Sequence, residues 1–238
     1  MNEKPDNCGE VTAETTHDAA GMRIKDSGTR RDFGTGSVRD AAAGKGRMDL
    51  LPVRALGKLF AAHCSRPLHQ TFSSLYVPTN LPRGARCLDL SFRLALEHLR
   101  GCRENPCLLG ATYFAMVALE MRERGLWDEH VYVYGDAVLL SWCPWSALIQ
   151  VSKLFEAGCQ KYGDRNWEKG QPLHIYMDSG LRHLAKCLRG DTDEDHLTAA
   201  CWNFLCYLDT ECRIEEGILP ESLADGMPKP SPLPAQCG

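Results

Sequence analysis

Ten consecutive residues, Lys161-Tyr162-Gly163-Asp164-Arg165-Asn166-Trp167-Glu168-Lys169-Gly170, carry a dense set of chemically useful groups. Lys161, Arg165 and Lys169 supply cations, Tyr162 and Trp167 flat aromatic faces, and Asn166 an amide. Gly163 and Gly170 can take positive φ, so the stretch reads as a tight loop closing a helix. Cations placed this way would meet phosphates, and a base would lie on Tyr162 or Trp167. The same composition also suits a charged connection between two helices, so the flanking residues must decide.

Helical spacing sorts those flanking residues. Glu156 projects from the end of the helix before the loop. After the loop, Asp178 and Arg182 are four apart on one face, with His183 beside an apolar stripe. In the last helix His196 and Asn203 are seven apart and nearly eclipsed, and Asp195, Trp202 and Asp209 form an adjacent line. Three helices thereby bring Glu156, Asp178, His183, Glu194, Asp195 and His196 within reach of one cleft. Carboxylates on facing helices suit Mg²⁺ or Mn²⁺, and a cation bridging phosphate oxygens would acidify an attacking water. Glu168 is a ligand, a base, or an ion-pair partner of Arg165 or Lys169. Plainer roles compete throughout. Acids at a helix start favour the dipole, Asp178–Arg182 is a simple i,i+4 pair, and Trp202 suits a core.

The elements that must position these groups are helical. Pro52 suits a first turn, and Ala55, Leu56, Leu59 and Phe60 recur at helical spacing. Leu88–Leu99 and Ala111–Arg124 read as amphipathic helices, separated from the first by a loop over Cys64–Gly84. A short hairpin is permitted between Val131 and Leu140. A further helix starts near Pro144-Trp145, with Leu148, Val151, Phe155 and Cys159 on one face. Met177, Leu181, Leu184 and Leu188 make the next stripe, ended by Gly190. Asp191, Thr192 and Asp193 then offer N-caps for a helix burying Leu197, Cys201, Phe204, Leu205 and Leu208. Pro144-x-x-Ala147-Leu148 echoes Pro52-x-x-Ala55-Leu56, as if residues 53–143 interrupted a shorter layout.

Bulk properties exclude other classes. A net charge of −4 over 238 residues gives no general attraction for nucleic acid. The polar start, residues 1–44, has no apolar leader-like run, and no stretch approaches a membrane span. The 12 cysteines are therefore expected as reduced thiols in a cytoplasmic compartment, with Cys187, Cys201, Cys206 and Cys212 as small core residues. Gly44-Lys45-Gly46-Arg47 lacks the full P-loop pattern.

Taken in order, Gly44-Lys45-Gly46-Arg47-Met48-Asp49-Leu50-Leu51-Pro52, Phe155-Glu156-Ala157-Gly158, Lys161-Tyr162-Gly163 and Asn166–Gly170 form a series. Arg182-His183-Leu184, Gly190-Asp191, Asp193-Glu194-Asp195-His196-Leu197 and Trp202-Asn203 complete it. The set resembles the bacteriophage dATP/dGTP diphosphohydrolases of the MazZ type, relatives of the all-α MazG nucleotide pyrophosphohydrolases. The resemblance covers residues 30–52 and 144–220. It implies metal-dependent cleavage of a purine deoxynucleoside triphosphate to monophosphate and pyrophosphate in phage nucleotide metabolism, within a host cytoplasm. The MazG signature, Glu-Glu-x-x-Glu followed by Glu-x-x-Asp, is not present as such, and Ala199 stands where some members carry a second histidine.

The expected architecture is an all-α, MazG-like helical bundle. Residues 1–44 form a flexible arm, 45–52 and 144–217 the catalytic helices, 53–143 an inserted, mostly helical segment of unassigned role, and 218–238 a Pro-rich tail. Lys161, Tyr162, Arg165, Asn166, Trp167, Lys169, Arg182 and Asn203 are expected to bind substrate. Glu168 and His183 would handle protons, and Glu156, Asp178, Glu194, Asp195 and His196 would hold Mg²⁺ or Mn²⁺. We expect a homo-oligomer acting on a purine dNTP, with no membrane or sequence-specific nucleic-acid partner. An HD-type dNTP triphosphohydrolase needs a folded His-Asp pair, and only His17-Asp18 supplies that order. A non-catalytic nucleotide- or protein-binding module would use the loop alone.

Overall fold

The computed structural model describes residues 44–65, 81–100, 106–127 and 144–225, with residues 35 and 37 and the backbone of four short strands. The expected hairpin at 131–140 and most of the Pro-rich tail lie outside the described residues. The chain divides into two units, 1–45 and 46–238.

In the first unit, strands β1 (Thr15–His17) and β2 (Arg23–Lys25) pair antiparallel, as do β3 (Arg30–Asp32) and β4 (Val38–Asp40). Nothing in the Gly-, Asp- and Thr-rich composition points to these ladders, because three-residue strands leave no readable alternation.

The described part of the second unit is all-helical, as expected. It comprises α1 (Val53–Ser65), α2 (Arg83–Leu99), α3 (Pro106–Glu123), α4 (Trp145–Tyr162), α5 (Leu173–Arg189) and α6 (His196–Glu215). Helices α2 and α3 begin well before Leu88 and Ala111, where their apolar stripes become readable. The early turns of α2 bury Arg83 and Arg86, so charge obscures the pattern there.

Helix α6 is the centre. Leu197, Ala200, Cys201, Phe204, Leu205, Cys206, Tyr207 and Leu208 are each at most 3% exposed and point round much of its circumference, as a helix enclosed by others requires. It packs on α1, α3, α4 and α5. Leu59, Leu94 and Phe114 from segment 53–143 share one buried cluster with Leu148, Phe155, Tyr176 and Phe204. The helices of that segment thus help to build the core that holds the candidate site.

Helix starts are tied down by carboxylates. Glu120 on α3 accepts from the Ala147 amide at 3.0 Å, satisfying an orphan donor at the start of α4. Asp225 accepts from the His174 amide and ring at the start of α5. Helix α6 is capped by Asp195, whose carboxylate accepts from Thr198 N at 3.1 Å and Thr198 Oγ1 at 2.7 Å. The cap therefore falls two residues beyond Asp193, the last candidate suggested by the sequence.

Candidate functional site

Lys161 and Tyr162 still belong to the last turn of α4, and the loop proper, which closes a cavity, begins at Gly163. Gly163 ends α4 at φ +89°, Arg165 adopts a left-handed conformation at φ 55°, and Asn166–Lys169 form a 3-10 turn. Arg165 is the sole non-glycine with positive φ among the described residues. Left-handed backbone costs about 1–2 kcal/mol for a residue with a side chain, and such strain gathers where surrounding contacts fix a functional geometry. Here Arg165 donates to the Asp49 carbonyl at 2.8 Å and pairs with Glu168 at 2.5 Å.

The cavity has a volume of about 570 Å³, within the range of small-molecule sites. Phe155, Trp167, Trp202 and Leu50 form its apolar wall, while Lys161, Arg165, Asn166 and Gln171 supply polar groups. Phe155 lies 5.4 Å from the Trp167 ring and 5.6 Å from the Trp202 ring, centroid to centroid. Trp202, which fits the core pattern of α6, is thus also a wall of the cavity. Tyr162 is 59% exposed, with the Lys161 ammonium 4.9 Å from its ring centroid.

A strap of residues 46–51 crosses α4 beside this cavity. The Gly46 amide donates to Glu156 Oε2 at 2.9 Å, and the Arg47 amide to the Ser152 carbonyl at 3.2 Å. Gly46 has φ +87°, and a Cβ there would lie 2.2 Å from Ser152 Oγ. Only glycine lets the strap lie so close. Arg47 reaches Asp49 through two bonds of 2.8 Å and approaches Asp164 at 3.7 Å, so the Gly44–Arg47 stretch adds a cation near the loop.

A second constellation joins the end of α5 to the start of α6. His183 Nδ1 lies 3.1 Å from His196 Nδ1, and Glu194 Oε1 lies 3.5 Å and 3.2 Å from those two nitrogens. Asp193 Oδ1 is 2.7 Å from His196 Nε2. With Nε2–H donating to Asp193, the His196 Nδ1 lone pair faces His183 and Glu194, the orienting arrangement that metal-bound imidazoles use. The His196 and Lys186 hydrogen bonds push the Asp193 carboxyl down to about 2. Burial lowers the His183 pKa, with Glu194 opposing the shift. His183, Glu194 and His196 offer ligand atoms within 4.8 Å of one another, as do Asp191, Asp193 and His196. Two imidazoles and a carboxylate suit a first-row transition-metal ion better than Mg²⁺, which prefers oxygen ligands; Mn²⁺ is the more tolerant of nitrogen donors of the two expected ions.

The structure does not gather all the expected ligands here. Glu156, Asp178 and Asp195 belong to none of the candidate metal groups among the described residues. Glu156 receives the Gly46 amide. Asp178 pairs on the surface with Arg182 at 3.1 Å, and Arg182 also donates to Ser179 Oγ. Asp195 caps α6 and takes two hydrogen bonds from Arg122, at 2.6 and 2.9 Å. Burial alone would raise its carboxyl, but the Arg122 and Thr198 hydrogen bonds outweigh that and lower it. Asn203 donates to the Ala199 carbonyl of its own helix, and Lys169 to Asn166 Oδ1. Glu168 pairs with Arg165 and with Arg213, at 3.2 Å for the latter. Arg213 is absent from the expected site residues; its i,i+4 spacing from Asp209 is the one local signal, and the link to Glu168, 45 positions away, has none. Of the His-Asp dipeptide, His17 falls in β1 and Asp18 lies outside the described residues.

All described cysteines are free thiols, with Cys201 and Cys206 fully buried and Cys187 only partly. No helix among the described residues is long and apolar enough to cross a membrane. No curated protein and no solved structure matches the chain. Residues 135–218, which carry the loop, His183, His196 and Trp202 but not the strap, match the family model described as dATP/dGTP diphosphohydrolase, N-terminal.

Proposed function

We propose that this protein hydrolyses purine deoxynucleoside triphosphates to the monophosphate and pyrophosphate, with a divalent cation. The observation that carries this reading is the aromatic cavity closed by a cationic loop inside the segment that matches the diphosphohydrolase family. Such a cavity suits a planar base with a polyanionic tail. Phe155, Trp167 and Trp202 would enclose the base, and Arg165, Lys161 and Arg47 would meet the phosphates. Asn166 and Gln171 provide hydrogen-bonding groups at the cavity wall.

His183, Glu194 and His196 are the residues we assign to the cation, with Mn²⁺ the better fit to their donor atoms. When bound there, a divalent cation would neutralise phosphate charge and lower the pKa of a coordinated water. Asp193 holds His196 in the orientation that leaves Nδ1 available. His196 and Trp202 are six residues apart on α6, about 9 Å along the axis. One rigid helix therefore carries both the cavity wall and the imidazole. Glu168 becomes available as a proton acceptor when a phosphate draws Arg165 away from it.

A panel of dNTPs and NTPs with Mn²⁺ or Mg²⁺, resolved by chromatography, tests the proposal. We expect dGTP or dATP to give monophosphate and pyrophosphate in equal amounts. Orthophosphate as the sole phosphorus product would sink the cleavage pattern, and tripolyphosphate would favour the HD-type reaction instead.

A further inference from the structure

Beneath the loop, one arginine meets two of its residues, Glu168 and Trp167. Arg213 on α6 is 9% exposed. Its Nε donates to Asp209 Oδ2 at 2.6 Å, and its Nη2 lies 3.2 Å from Glu168 Oε2. Its guanidinium carbon stands 5.4 Å from the Trp167 ring centroid. Charges alternate from the core to the cavity rim: Asp209, Arg213, Glu168, Arg165.

Each end of this chain explains why the arginine matters. Asp209 is fully buried, and its second oxygen has no hydrogen-bond partner among the described residues. It therefore acts as a fixed negative anchor that dictates where Arg213 lies. Trp167 is buried, yet its indole N–H makes no hydrogen bond among the described residues. No polar anchor sets the orientation of that ring, so its ring neighbours Phe155 and Arg213 must do so.

We propose that Arg213 is the positioning residue of the cavity loop, holding Glu168 and Trp167 in place while Arg165 exchanges from Glu168 to substrate phosphate. The substrate half of this statement rests on the dNTP reading above. A planar fork is needed, because one group must meet two carboxylates and an aromatic face together. Lysine at this position keeps the charge and loses that geometry. Once Arg165 leaves, Glu168 retains its Arg213 contact, so the loop does not collapse into the cavity.

The test uses the full chain. Arg213→Gln alone strands the buried Asp209 charge, so the informative variant is Asp209→Asn/Arg213→Gln, with Arg213→Lys beside it. We expect KM for dGTP or dATP to rise at least tenfold in the double variant, with kcat falling by less than KM rises. Adding Glu168→Gln to that variant should change KM little, because both substitutions break one linkage. Hydrogen exchange without nucleotide should quicken in peptides covering 163–170 and stay unchanged in α5. An unchanged KM in a cooperatively folded variant would overturn the proposal, as would faster exchange spread evenly over α5 and α6. If the parent turns over no dNTP, the dNTP reading fails and exchange alone judges Arg213. Quickening confined to 163–170 then supports positioning, and unchanged exchange refutes it.

Discussion

Asp195 separates two accounts of the same residue, as a metal ligand or as a helix cap. The carboxylate accepts from Thr198 N and Oγ1 and receives both Arg122 donors. Asp195→Ala removes all four interactions. Loss of an N-cap costs about 1 kcal/mol. The Arg122 pair, with side chains 35% and 47% exposed, adds at most about 1 kcal/mol after solvent screening. A total of about 2 kcal/mol lowers Tm by roughly 4–8 °C for a unit of this size. Asp195→Asn keeps one cap acceptor for Thr198 N but loses the charge and the second acceptor oxygen that meets Arg122 Nη2, so it should cost about 1 kcal/mol, less than Asp195→Ala.

The acid dependence follows from the lowered Asp195 pKa. Its charge contributes stability above the unfolded value, about 3.9, and that contribution is lost as pH falls through the lower folded value. The stability gap between parent and Asp195→Asn should therefore be constant near neutrality and close below about pH 4. Thermal unfolding followed by circular dichroism over a pH series measures it. Manganese-dependent turnover of Asp195→Asn should stay within a few-fold of the parent. Equal destabilisation by Asn and Ala, or abolished turnover in Asn with the fold intact, would refute the cap assignment.

Other tests address the core and the site. In the metal cluster, His196→Asn and Glu194→Gln should each weaken Mn²⁺ binding by tenfold or more, read by calorimetry without nucleotide. Unchanged affinity would remove the cluster as a cation site. Gly180 packs against Phe204, and a Cβ there would lie 2.6 Å from Phe204 Cε1. Gly180→Val should thus destabilise by about 1–3 kcal/mol through overpacking, visible as a lower denaturant midpoint at unchanged m-value. Burial pushes the Cys87 thiol up to about 12 and raises the Cys201 and Cys206 thiols as well. Peptide mapping after alkylation should find these three labelled only in denaturant, whereas exposed Cys64 reacts in the native protein. Labelling of Cys201 under native conditions would show that α6 is not enclosed as described.

Sequence by itself settled what depends on near neighbours. Apolar spacing located α4, α5 and α6 closely, Gly190 marked the end of α5, and the ordered motifs of 155–203 pointed to the family that residues 135–218 match. Local chemistry also ended α4 within Lys161–Gly170, at Gly163, because Gly163 and Gly170 take positive φ while Arg165 bends with them. His183, Glu194 and His196 were legible as polar groups near a helix junction, though not as a separate cluster.

Only the tertiary structure decided which carboxylates meet which partners. Asp195 and Glu194 are adjacent in sequence, yet α6 turns one into a cap facing Arg122 and leaves the other beside two histidines. Glu156 is aligned with the expected cleft by helical phase, but the strap at Gly46, 110 positions away, claims its oxygen. Glu168 is ambiguous in sequence and becomes the middle of a charge chain only because α6 places Arg213 beneath the loop. Periodicity fixes the direction of a side chain about its own helix axis. The distance to a partner on another helix depends on how the helices pack, and that is a property of the whole core.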